Sequence, residues 1–366
     1  MRRPLPAHAA RWVPSLAVSM LLASGGWGSA DDATPVLPTD PVELPRDHGS
    51  HPSFRTEWWY VTGWLKAGDQ PLGFQVTFFR SRTSPSLLQG NPSHFAPAQI
   101  IVAHAALSDP GRGHLLQQQK VARAGLGLAG AAEHDIDAWI GDWRLRRAGD
   151  SLEARVRGEE FALALTLRQL VPALLNGDRG FSQKGPDPRS ASHYYSLPQL
   201  RVTGSITRGQ RTQSVQGDAW LDHEWSSEYL DAQATGWDWT GLNLQDGSAL
   251  MAFRIRGANG STRWAGGTLR AADGRMFVAT PAQVEFQPLR RWRSPRTGID
   301  YPVQWALRIG AQRWELSPLM DDQENDTRAT TGAIYWEGAV RALRDSQEVG
   351  HGYLELTGYE GRLILR

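Results

Sequence analysis

The chain contains no cysteine. That excludes disulfides, thiolate metal sites, a cysteine nucleophile and a lipid-modified cysteine anchor together. Net charge is almost absent, since 39 basic and 38 acidic residues leave +1. Without a basic footprint, nucleic acid is not an expected partner. Helical windows are scarce, and the apolar stretch 171–175 is interrupted by Pro172. Beyond the N-terminus no apolar run is long enough to span a bilayer. There is no Gly-x-Ser-x-Gly elbow, and Gly125-x-Gly127 lacks the context of a phosphate loop. His48, His51, His104, His193 and His223 have no metal-like spacing, so neither a metal nor a cofactor is expected.

What the chain has instead is punctuation, with 38 glycines and 22 prolines, which favours many short strands joined by turns. Arg2, Arg3 and Arg11 precede or begin the apolar stretch 12–23, and Gly28-Ser29-Ala30 stands before Asp31-Asp32. This reads as a secretory signal peptide over residues 1–30 and implies a secreted or periplasmic location. The competing reading, an N-terminal membrane anchor, requires a longer run than one ending at Gly25-Gly26. Residues 31–46 read as a Pro- and Asp-rich linker. Strands are expected at 58–65 and 73–79 around a Gly68-Asp69 turn, then at 99–107, 139–146, 152–156 and 161–167. Residues 176–192 read as a long loop, and 199–207 with 211–220 as a further hairpin. A weak repeat follows: Trp58-Trp59-Tyr60-Val61-Thr62-Gly63, a turn and Phe79-Arg80 are echoed by Trp237-Asp238-Trp239-Thr240-Gly241-Leu242, a turn and Phe253-Arg254. The expected architecture is all-β, with two tandem antiparallel barrels at 47–220 and 221–366.

Sixteen tryptophans are the strongest compositional signal. The densest runs, Glu57-Trp58-Trp59-Tyr60, Asp222-His223-Glu224-Trp225 and Trp237-Asp238-Trp239, place indoles beside carboxylates. On an extended strand Asp222, Glu224 and Ser226 share one face, while His223 and Trp225 share the other. A carboxyl buried among indoles has a raised pKa and becomes a proton donor near neutral pH. Aromatic faces stabilise the carbocation formed when an alkene is protonated. The bland alternative is a Glu224 that pairs with an arginine and braces a barrel. Glu57 shares its face with Trp59, and its structural alternative is a buried acid bonded to an indole N–H or to Arg55. Asp238 points away from both flanking indoles and is the weaker candidate. The run Arg290-Arg291-Trp292-Arg293 reads as a solvated turn.

From about residue 48 onward the chain resembles the AttH-type secreted proteins related to carotenoid 1,2-hydratase (hydroxyneurosporene synthase). The stretches that carry the resemblance include Phe54-Arg55-Thr56-Glu57-Trp58-Trp59-Tyr60, Tyr194-Tyr195-Ser196, Glu224-Trp225-Ser226, Gly236-Trp237-Asp238-Trp239, Tyr335-Trp336-Glu337-Gly338-Ala339 and Gly352-Tyr353-Leu354-Glu355-Leu356-Thr357-Gly358-Tyr359. The resemblance implies tandem lipocalin-like (calycin-type) barrels and hydration or hydrolysis of a hydrophobic lipid or isoprenoid. The hydratases' His-x-Trp strand matches His223 and Trp225. Their Tyr-x-Asp pair does not match Leu250-Met251-Ala252-Phe253. The acid is therefore sought at Glu224, Asp222 or Glu57, with His223 as a relay. Trp225, Trp237, Trp239, Trp58, Trp59, Tyr60 and Tyr195 are the expected pocket lining. The expected partner is a small hydrophobic molecule, with peripheral membrane contact and a monomeric chain. The readings set against catalysis are a lipid or terpenoid carrier and a structural envelope protein whose inter-barrel interface is filled with indole.

Overall fold

The computed structural model describes residues 33–83 and 98–363, which belong to one compact unit. The expected signal peptide lies outside them. In chain order the strands of the first sheet are β1 (Thr56–Ala67), β2 (Gln70–Arg82), β3 (Gln99–Ser108), β4 (Leu115–Arg123), β5 (Ala129–Ala131), β6 (Asp137–Ile140), β7 (Trp143–Ala148), β8 (Ser151–Arg157), β9 (Phe161–Arg168), β10 (Leu174–Leu175), β11 (Phe181–Gln183), β12 (Ala191–Arg208) and β13 (Arg211–Glu228). Those of the second are β14 (Ala234–Leu244), β15 (Ala249–Gly257), β16 (Thr262–Arg270), β17 (Met276–Ala279), β18 (Val284–Arg293), β19 (Asp300–Ile309), β20 (Gln312–Pro318), β21 (Glu324–Asp326), β22 (Ile334–Arg344) and β23 (Gln347–Leu356).

The first sheet runs β4-β3-β2-β1-β13-β12-β9-β8-β7-β6-β5, and its two edges curl back until β4 lies against β5 and β6. The second runs β17-β16-β15-β14-β23-β22-β20-β19-β18, with β18 returning to β15 and β16. Among the described residues every ladder is antiparallel, and two barrel-like sheets in tandem is the architecture the sequence predicts. Each encloses its own core. Trp59, Phe74, Phe78, Trp143 and Leu165 lie in the first, and Trp305, Trp314, Trp336 and Leu354 in the second.

Burial patterns along the strands locate the functional region. β9 alternates inward apolar residues with outward ones, as a strand with one wet face must. β1 and β13 instead have long stretches buried on both faces. Their outer faces are covered by β14, β15, β22 and β23 of the second barrel. A third apolar cluster fills this seam, with Tyr60, Trp64, Tyr194, Trp220, Trp239, Met251, Phe253 and Tyr353. Trp64 Nε1 donates to Gly352 O at 2.9 Å, and Trp239 Nε1 to Tyr194 Oη at 2.9 Å, across the seam. Gly241 permits the close approach: a Cβ there would lie 2.8 Å from the Trp239 ring and 2.9 Å from Trp220.

Several sequence boundaries shift. Residue 221 lies inside β13, which stays in the first sheet to Glu228, because the whole strand pairs with β12 and β1. The 139–146 strand breaks at the Gly141-Asp142 turn into β6 and β7. The 33–46 stretch is no free linker, since Val36 and Val42 join the first core. The 176–192 loop carries β11, which pairs with β12.

Candidate functional site

The strand alternation read from the sequence separates the candidate acids into two environments. His223 and Trp225 point into the first barrel with Glu57, Trp59 and Tyr195. Asp222 and Glu224 point outward into the seam, where Trp58, Tyr60, Trp237 and Trp239 also lie. His223 and Glu224 therefore face opposite sides of β13. The expected relay from His223 to Glu224 is not formed, because adjacent residues on a strand project apart.

Inside the first barrel, Glu57 is fully buried. Its Oε1 lies 2.7 Å from His51 Nδ1 and 2.8 Å from His223 Nε2, and its Oε2 accepts from Arg80 Nε at 2.8 Å. Burial opposes ionisation, yet the hydrogen bonds to His223 and His51 hold the Glu57 carboxyl well below the usual carboxylate range. A carboxyl held this way is an ionised hub and a poor proton donor, which corrects its expected role as a cavity acid. Its arginine partner is Arg80, the cross-strand neighbour of Glu57 in the β1–β2 hairpin. The second barrel repeats the device: Asp238 faces Arg254 across the β14–β15 hairpin, with Nε to Oδ2 at 2.6 Å and Arg256 Nε at 3.1 Å.

Burial lowers His223 and His48 to about 4, so both are neutral at neutral pH. Each sets its Nδ1 against Tyr195 Oη, at 3.1 and 2.8 Å. His51 Nδ1, Glu57 Oε1 and His223 Nε2 lie within 4.8 Å of one another and form a donor set of metal-binding type. The buried Arg80 guanidinium on the same carboxylate would face any cation placed there. The cavity at this end is about 50 Å³ and is lined by Asp40, Arg46, Asp47, His51, His193 and Trp225. It has room for water but not for a lipid.

The seam differs in chemistry. Asp222 accepts from Tyr194 Oη at 2.6 Å, Ser196 Oγ at 2.5 Å and Trp220 Nε1 at 2.6 Å. Burial outweighs these donors and raises its carboxyl to about 7. Glu224 lies 2.8 Å from Lys184 Nζ and accepts from Ser192 Oγ. Burial raises Glu224 while Lys184 opposes the shift, and burial likewise lowers Lys184. The Lys184 ammonium also sits 4.1 Å from the Phe253 ring centroid, 4.8 Å from Tyr194 and 5.2 Å from Tyr229.

Two further acids, Glu337 and Glu355, are direct cross-strand neighbours on β22 and β23. Like charges so placed repel. Burial, ahead of that repulsion, raises Glu337 well above the usual carboxylate range. Burial raises Glu355 to about 7 against a Trp237 Nε1 bond of 3.0 Å. Sequence reading treated neither as an acid. The available signal was the aromatic-x-Glu spacing of Tyr335/Glu337 and Tyr353/Glu355, which places each acid on the face of a tyrosine.

A cleft of about 350 Å³ opens at one end of the seam, lined by Arg55, Asp187, Arg189, Glu228, Tyr229 and Arg362 among others. Tyr229 forms part of its wall and reaches inward to Glu224, Trp58 and Trp237. The cleft thus abuts the acid cluster, and its volume is that of a small-molecule site.

A family model described as AttH-like matches residues 35–359. The solved structure of an AttH-like protein from Nitrosomonas europaea is 50% identical, with a TM-score of 0.83, covering 89% of this chain and 99% of that one. Kievitone hydratase from Nectria haematococca shares the fold at 17% identity and a TM-score of 0.65, covering 90% of this chain and 96% of that one. Among proteins of curated function, none matches the sequence.

Proposed function

This chain belongs to the AttH-like family, and from that premise we propose that it is a secreted, hydratase-like enzyme acting on an isoprenoid or lipid through acids of the inter-barrel seam. One observation carries the reading. Asp222, Glu224, Glu337 and Glu355 are all buried with raised pKa values among indole and phenol rings. A carboxyl that keeps its proton near neutral pH can protonate an alkene, and flanking aromatic faces stabilise the resulting cation. The fold shared with a hydratase agrees with this chemistry without fixing it.

In this mechanism Glu224, the acid that Tyr229 links to the cleft, delivers the proton to an alkene carbon. A C–H bond forms as the π pair is consumed. Water adds to the neighbouring carbon, and its surplus proton returns to a seam carboxylate. Trp58, Tyr60, Trp237 and Trp239 face the substrate side, whereas Trp59, Tyr195, His223 and Trp225 support the first barrel from within. The Glu224→Gln variant is expected to lose turnover while retaining ligand. The measurement is incorporation of isotope-labelled water into an acyclic isoprenoid alcohol, followed by mass spectrometry. Unchanged incorporation removes Glu224 from the mechanism.

The ion pair of Glu224 with Lys184 favours a second reading, a lipid or terpenoid carrier without chemistry. In that case lipid that co-purifies with the protein is returned unaltered after incubation.

A further inference from the structure

The seam carboxyls are buried, and a buried carboxyl exchanges its proton with solvent only along a connected route. A line of hydrogen-bonding groups leads from Glu337 to half-buried residues. The Tyr335 hydroxyl, on β22, lies against the Glu337 carboxyl. It is 3.0 Å from Nδ1 of His104, which β3 of the other barrel supplies. His104 Nε2 is 3.0 Å from Thr330 Oγ1, and Thr330 Oγ1 donates to Gln119 Oε1 at 2.5 Å. His104 is fully buried, whereas Thr330 and Gln119 are half-buried at the molecular surface. Asn325 Nδ2 donates to Tyr335 Oη at 3.1 Å and fixes the phenol from the side.

We propose that Thr330, His104 and Tyr335 form a proton path between solvent and the Glu337 carboxyl, which keeps the protonation of the seam acids in equilibrium with solvent. This rests on the acid chemistry assigned above. Three features fit the role. Every group in the line can both donate and accept a proton. No charged side chain is among the causes that shift His104; burial alone lowers it to about 3, so it stays neutral and can pass a proton by exchanging tautomers. Tyr60 and Tyr335 both face the Glu337 carboxyl at hydrogen-bonding range, so the line ends on the acid it would serve. The groups that face Glu337 are Glu355 from β23, Tyr60 from β1, Tyr335 from its own strand and Tyr353.

The transfer balances. When the Glu337 carboxyl has passed on its proton, Tyr335 O–H gives its proton to the carboxylate. His104 Nδ1–H then restores the phenol, and His104 Nε2 takes a proton from the hydroxyl of Thr330. Thr330 is reprotonated from water. One proton enters, one is delivered, and no bond between heavy atoms changes. His104 and Tyr335 act through Glu337 and are relay residues rather than catalytic ones.

The test needs no substrate. The protein is transferred into heavy water, and exchange of its buried carboxyl protons is followed by infrared spectroscopy. Glu337→Gln identifies the band of Glu337 by removing it. With the path cut, exchange must wait for local opening, so His104→Leu is expected to slow it by about tenfold or more. Thr330→Val, a change at the half-buried outer end that spares the core, is expected to slow it in the same direction. Exchange at the wild-type rate in both variants overturns the path, as does a Glu337→Gln spectrum that has lost no protonated carboxyl band. If His104→Leu does not fold, Thr330→Val decides alone. Because the readout is exchange rather than turnover, failure of the path leaves the proposed hydration chemistry to its own assay.

Discussion

The two faces of the paired strands β1 and β13 carry acids among aromatic rings, yet their electrostatics are opposed. On the inner face Glu57 meets Arg80 and two histidines, and it is held ionised. On the outer face Asp222 and Glu224 join Glu337 and Glu355, and burial pushes all four towards their protonated forms. Both faces are buried, so burial alone does not distinguish them. The difference lies in what each carboxyl meets: Arg80 and two histidines around the single acid Glu57 on one side, four carboxyls sharing one cation, Lys184, on the other. A matched buried pair holds a barrel together, whereas crowded carboxyls store protons at a cost in stability.

The largest expected effect tests the inner face. Arg80→Met strands the Glu57 charge and should destabilise the fold by about 3–5 kcal/mol in denaturant unfolding. The seam acids should behave in the opposite way. A loss smaller than 1 kcal/mol (about the value of an exposed pair) would show that Glu57–Arg80 is no brace.

The pH dependence sharpens the contrast next. Asp222 and Glu355 have folded-state pKa values raised to about 7, above those of an unfolded chain. Their contribution is fully present below the unfolded carboxylate pKa and is lost as pH rises through about 7. Glu57 is lowered instead, so its contribution is present above the unfolded carboxylate pKa and lost as pH falls below the usual carboxylate range. Asp222→Asn should therefore flatten the decline between about pH 4 and 7, an effect on the order of 4 kcal/mol. Thermal unfolding across that window is the measurement, and an unchanged slope would remove Asp222 from the stored protons.

Smaller effects probe the seam itself. Trp64→Phe leaves Gly352 O without its donor and should cost about 2 kcal/mol, read as a lower unfolding midpoint. Tyr60→Phe removes a hydroxyl that faces the Glu337 carboxyl and should cost about 1 kcal/mol, read in the same way. No loss from Tyr60→Phe would mean that this hydroxyl does not bond to Glu337.

Much of the fold is legible in the chain. Period-two patterning and turn residues locate the β1–β2, β12–β13 and β14–β15 hairpins, and the repeat reveals two halves. The site is less legible. Asp222 and Glu224 stand out because indoles flank them, but Glu337 and Glu355 come from strands more than a hundred residues later. Nothing local marks them as neighbours of Asp222. The same holds for His104 and Tyr335, whose contact joins one barrel to the other.

The sequence by itself determined which side chains share a face, because an extended strand alternates whatever surrounds it: Asp222 with Glu224, His223 with Trp225, Glu57 with Trp59. Only the tertiary structure decided what each face meets. The outer faces of β1 and β13 would be solvated on an isolated barrel, and their carboxyls would then titrate as ordinary surface acids. Docking of the second barrel removes the water and brings Glu337 and Glu355 opposite them, and desolvation together with like-charge crowding creates the proton-holding seam.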